Sequence, residues 1–154
     1  MINEVIILNP ICCFAGHRDF LNTECIEEKL KKHIISLITN ENVTEFMLGN
    51  YGNFDKLVNK VLFSVKEAYP HIKITLVVPY LTTFLKEQGN EKYECILIAD
   101  MPENTPRKYQ ILKCNEYMVS KSQFIICYVK NTWGGAYKTL EYAKKKKLNI
   151  YNLI

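Results

Sequence analysis

Residues 11–18 read Ile-Cys-Cys-Phe-Ala-Gly-His-Arg (ICCFAGHR). Five consecutive apolar residues from Ile11 to Ala15 are too few for a helix, and Gly16-His17-Arg18 stops them, so the stretch is a short buried strand running into a turn. The same grammar repeats downstream. Thr44–Leu48 (TEFML), Lys73–Val78 (KITLVV), Glu94–Ala99 (ECILIA), Phe124–Val129 (FIICYV) and Leu148–Leu153 are further strands. KITLVV is nearly continuous in apolar residues, as a strand covered on both faces of a parallel sheet must be. Between the strands the period changes to that of a helix. Ile26, Leu30, Ile34, Leu37 and Ile38 share one face of a helix over Thr23–Thr39, and Leu57, Val58, Val61, Leu62 and Val65 share one over Phe54–Tyr69, ended by Pro70. A short helix is expected within Tyr80–Gln88. One over Arg107–Ser120 should bury Ile111, Leu112, Met118 and Val119, and a last one spans Ala136–Lys146. Strict alternation of strand and helix predicts an α/β, Rossmann-like three-layer domain, with a mainly parallel sheet and helices on both faces.

The chain has 154 residues, 48% of them apolar and 23% charged, which suits one domain over 1–154 with a real core. Val5–Leu8, cut off by Pro10, reads as an N-terminal extension or an extra strand within residues 1–10. No apolar run approaches the roughly 20 residues of a membrane span, and MINEVIILNP lacks the marks of a signal peptide. The six cysteines include no CxxC pair, which excludes a zinc ribbon or a thioredoxin motif, and no His, Asp and Glu cluster has metal spacing. Reduced cysteines without an export signal fit a cytoplasmic protein with no membrane partner. The net charge of +4 is mild, and its one basic run, Lys144–Lys147, complements a helix C-terminus. Nucleic acid is therefore an unlikely partner. A homo-oligomer is expected.

In an open parallel sheet, ligands bind outside the carboxyl ends of the strands, so the strand-to-helix turns are the places to look. Three carry glycine: Gly16-His17-Arg18, Gly49-Asn50-Tyr51-Gly52-Asn53-Phe54-Asp55 and Trp133-Gly134-Gly135-Ala136. Glycine allows close backbone approach, and helix N-terminal amides attract anions, so the three turns together favour a phosphate-bearing ligand. Neither GxxxxGK[ST] nor GxGxxG is present. Only Arg18 and Arg107 can grip an anion with a planar fork. His17 is a candidate acid or base, or alternatively a histidine that holds its turn. Asp55 complements a helix start or touches a ribose hydroxyl. Trp133 and Tyr80 are candidate stacking platforms. A thiol nucleophile from Cys12 or Cys13 with His17 is a remote reading, because buried thiols are inert.

These runs, together with Asn115-Glu116-Tyr117-Met118-Val119, resemble in their order bacterial SLOG proteins of the YpsA-like branch. The resemblance spans about residues 11–153. SLOG is a Rossmann-like superfamily that includes the DNA-uptake protein DprA and the LOG phosphoribohydrolases. The resemblance implies binding of a nucleotide or nucleotide-derived molecule, as a sensor or ligand-handling module, with no further cofactor. It implies as site residues Gly16, His17, Arg18, Gly49, Asn50, Gly52, Asn53, Asp55, Lys113, Asn115, Trp133, Gly134, Gly135 and Ala136. The alternative is a phosphoribohydrolase-like N-glycosidic enzyme. The LOG motif PGGxGTxxE then puts its glutamate at Glu141, but Tyr137 and Lys138 replace its third glycine and threonine. Cys114 stands where the YpsA-like branch usually has an arginine, which leaves Lys113 beside it as the cation. A DNA-associated role like that of DprA is the third reading.

Overall fold

The computed structural model describes residues 9–21 and 24–154, so the Val5–Leu8 run and Thr23 lie outside the described residues. The elements follow the order β1 (Ile11–Gly16), α1 (Glu24–Asn40), β2 (Glu45–Leu48), α2 (Asn53–Ala68), β3 (Lys73–Val78), α3 (Leu81–Glu87), β4 (Cys95–Ile98), α4 (Arg107–Lys121), β5 (Phe124–Tyr128), α5 (Gly135–Lys145) and β6 (Asn149–Asn152). Among the described residues all the strand pairs are parallel, in the order β4-β3-β2-β1-β5-β6. This is the α/β Rossmann-like arrangement expected from the alternation, with boundaries that agree to about one residue.

The pleat divides the core into two layers, since successive side chains of a strand face opposite ways. Cys12 and Phe14 of β1, with Phe46, Leu48, Ile74 and Ile126, pack against Leu30 and Ile34 of α1 and Leu57 and Val61 of α2. Cys13 and Ala15, with Met47, Val77, Ile125 and Cys127, pack against Met118 and Val119 of α4 and Leu140 and Ala143 of α5. From Ile74 to Val78 β3 is wholly buried, as its apolar run requires. In α4 the expected inner face is corrected. Cys114, Met118 and Val119 are buried, while Ile111 and Leu112 are only partly covered, because the first turns of the helix overhang the end of the sheet. Among the described residues no helix is long and apolar enough to cross a membrane.

A close contact fixes how α2 meets β1. Gly16 ends the strand directly against the ring of Phe54 in the first turn of α2, and a Cβ at Gly16 would lie 2.2 Å from the Phe54 Cγ. Phe54 is almost wholly buried and also meets Phe20 edge-on at 5.5 Å. Glycine is needed here for space.

Candidate functional site

Strand order turns over at β1, which has β2 on one side and β5 on the other. The loops leaving β1 and β5 therefore diverge, and a cleft of about 360 Å³ opens between them. Gly16, His17, Arg18 and Asp19 form one wall, with Tyr51 and Asp55 from the turn before α2 and its first turn. Asn131, Trp133, Gly134, Gly135 and Ala136 form the opposite wall. Lys108, Ile111, Leu112 and Asn115 of α4 close the third side. The volume lies at the low end of the roughly 300–1,000 Å³ range of small-molecule sites.

His17 ties the two loops together. Its Nε2 accepts hydrogen bonds from the backbone N–H of Lys130 at 2.9 Å and of Asn131 at 3.5 Å, and its ring stands edge-on to Tyr128. Two donors at Nε2 put the ring proton on Nδ1. Of the two readings open for His17, the geometry favours the one that holds the turn.

Arg18 is exposed at the cleft rim, and its main chain is clasped by the neighbouring turn. Asn53 N–H donates to the Arg18 carbonyl at 2.9 Å, and Gly52, at φ +99°, lies so close that a Cβ there would fall 2.6 Å from the Arg18 Cα. Positive φ and the close approach both call for glycine. Arg107 lies outside the cleft with its guanidinium over the Tyr80 ring.

Asp55 is the half-buried charge of the site. Its Oδ2 accepts the Tyr51 N–H at 2.8 Å. Burial lifts the carboxyl from the ordinary 3.8 up to about 6, against the opposing pulls of the Tyr51 amide and the Arg18 charge. Asn59 braces this turn, donating from Nδ2 to the Asp55 carbonyl at 2.8 Å while its Oδ1 accepts from the Tyr93 hydroxyl at 2.6 Å.

On the far wall Gly134 is the N-cap of α5 at φ +92° and ψ 177°, a backbone state almost restricted to glycine, and no side chain caps the helix. A Cβ at Gly134 or Gly135 would meet nothing within 4 Å. The α5 N-terminus thus opens onto the cleft with its amides uncapped by any side chain. Beside it Trp133 is 71% exposed, an aromatic surface of unusual size to leave in water.

Nine of the sequence-derived residues therefore meet in one place: Gly16, His17, Arg18, Asp55, Asn115, Trp133, Gly134, Gly135 and Ala136. Gly49, Asn50, Gly52 and Asn53 do not line the cleft. Gly49 and Gly52 shape the turn that carries Asp55, and Asn53 lines a separate surface groove. Lys113 is exposed outside the cleft and pairs with Glu116 at 3.1 Å. Glu141 is also outside it, on the exposed face of α5, with its Oε1 3.0 Å from Lys144 Nζ. Its buried neighbours Thr139, Leu140 and Ala143 fix that orientation, since each helical residue advances about 100°. Replacing Glu141 by Gln should change stability by less than about 0.5 kcal/mol in a denaturant titration, as for an exposed ion pair. Cys12 and Cys13 are fully buried in β1, and burial pushes the Cys13 thiol up to about 12, which leaves no thiolate for nucleophilic chemistry. Asp19, Asn131, Lys108, Ile111 and Leu112 also line the cleft, though the sequence does not single them out for it.

A family model described as the YspA SLOG family matches residues 12–153. The UPF0398 protein BH1768 of Halalkalibacterium halodurans is 29% identical over 131 residues, covering 79% of this chain and 69% of that protein. The SPbeta prophage-derived protein YoqJ of Bacillus subtilis is 27% identical, with 80% of this chain and 82% of that protein covered. Among solved structures, DNA processing protein A (DprA) from Streptococcus pneumoniae superposes with a TM-score of 0.64 at 16% identity. That likeness is one of fold. It covers 92% of this chain, which spans about half (49%) of the DprA chain.

Proposed function

Because the chain belongs to the YspA SLOG family, we propose that its cleft binds a nucleotide or a nucleotide-derived small molecule, as a sensor or ligand-handling module. One observation carries this reading: a glycine-opened helix N-terminus, a fork-bearing arginine and a large exposed indole line the same cleft. Each suits one part of a nucleotide. Gly134, Gly135 and Ala136 offer amides and the positive end of the α5 dipole to a phosphate, with Arg18 and Lys108 as cations. Trp133 offers a ring face to a base, and Ile111 and Leu112 offer apolar cover. The N-glycosidic reading has lost its support, because it needs a carboxylate from Glu141 that points elsewhere.

Trp133 is the chain's one tryptophan, so its fluorescence reports the site directly. Titration with adenine nucleotides and ADP-ribose should change that fluorescence, and ligand at 100 times Kd should add about 2.7 kcal/mol to stability. Arg18→Ala should cost about 1.5–3 kcal/mol of affinity if the guanidinium pairs with phosphate. Gly135→Val, whose side chain enters open space, should weaken binding while the melting temperature without ligand stays close to that of the wild type. A broad nucleotide panel with neither a fluorescence change nor a thermal shift would remove the proposal.

A further inference from the structure

The two ends of the cleft differ in sign. The uncapped amides at the α5 end draw an anion in, whereas Asp55, on the opposite wall beside Arg18, faces a phosphate with a like charge or, when protonated, with a half-buried neutral acid. Asp55 is also held in place. Its Oδ2 is engaged by Tyr51 N–H, and its backbone is braced through Asn59 to Tyr93. Its Oδ1 accepts no hydrogen bond from the described residues. A fixed carboxylate with one oxygen committed and one to spare suits a hydrogen-bond donor on the ligand. We propose that Asp55 is the specificity determinant of the cleft: its second carboxylate oxygen accepts a hydrogen bond from a neutral donor of the nucleotide, a sugar hydroxyl or a base amine. This rests on the nucleotide reading above and adds an orientation, with phosphate toward α5 and the donor toward α2.

The test compares AMP with two analogues, 2′-deoxy-AMP, which lacks the hydroxyl, and IMP, which lacks the amine. Binding is followed by Trp133 fluorescence and by calorimetry. One analogue should bind the wild type about tenfold to a hundredfold more weakly than AMP, as when a hydrogen bond to a charged group is lost. Which analogue suffers identifies the donor. Asp55→Ala should weaken AMP to the level of that analogue and lose nothing further with the analogue itself. Asp55→Asn guards against a folding defect, because its amide oxygen can stay with Tyr51 N–H. Its NH₂ then meets a base amine donor to donor, so discrimination against IMP should vanish if the amine is the partner, whereas a sugar hydroxyl can accept from that NH₂ and should keep part of its discrimination. Wild-type protein that binds all three alike would overturn the role of Asp55, as would an Asp55→Asn variant equally weakened for all three; either result leaves nucleotide binding standing. Wild-type protein that binds none of them would remove both.

Discussion

Gly16→Ala is expected to lower stability by about 3 kcal/mol or more, the upper range for overpacking a closed site. The added Cβ would fall 2.2 Å from Cγ and 2.7 Å from Cβ of Phe54, well inside contact distance. The ring cannot swing aside, because Phe20 and Tyr128 hold it, with centroids at 5.5 Å and 6.4 Å. Relief then requires α2 to move off β1, and with it the turn that carries Asp55. Thermal unfolding should show a melting temperature lower by roughly 6–12 °C for a chain of this size. Gly135→Ala, with no neighbour within 4 Å, serves as the unaffected control. In a double-mutant cycle, Gly16→Ala combined with Phe54→Leu should cost clearly less than the two changes added, since the smaller side chain makes room. Strict additivity would show that the Gly16–Phe54 contact is not the cause.

The second large effect depends on pH. The folded chain holds the Asp55 proton up to about 6, whereas the ordinary value is 3.8. Between those values the native state binds more protons than the unfolded one, so unfolding free energy falls as pH rises from about 4 to 6. The loss should total about 2–3 kcal/mol and persist at higher pH, because an ionised carboxylate there pays for its burial. Asp55→Asn removes the titration and keeps an acceptor for Tyr51 N–H. Denaturant melts from pH 4 to pH 8 should show the difference between variant and wild type growing in the variant's favour over that window, then levelling off. Parallel curves at every pH would mean that Asp55 is not desolvated.

Most of the fold was legible because it depends on local periods. Apolar runs such as KITLVV cannot face water on either side, and the 3.6-residue repeat of α1 and α2 marks one inward stripe on each. The site was legible in part, since turns at strand ends are local too. Contacts between distant residues were hidden. Gly52 reads as a ligand-facing glycine, but what needs its bareness is the backbone of Arg18, which nothing in the spacing reveals. Phe54 and Gly16 are another such pair. Glu141 illustrates the limit of motif placement, because one step along a helix separates the buried Leu140 from a side chain in solvent. Ile111 and Leu112 fit an inward stripe equally well whether the sheet or an open cleft lies beneath them.

The order β4-β3-β2-β1-β5-β6 also governs what the chain can tolerate being added to it. The cleft sits at the middle of the sheet, while the two edges, β4 and β6, belong to segments that contribute no cleft residue. The exposed residues at 88–89 and 102–104 lie on the β4 side, away from β1 and β5. Extra sequence grafted there would lengthen the periphery without respacing Gly16, Arg18 and Gly134, because loop tips absorb insertions cheaply. Growth by accretion at the margins is thus open to this architecture, whereas a single residue inserted between Tyr128 and Gly134 would shift the far wall of the cleft against the near one.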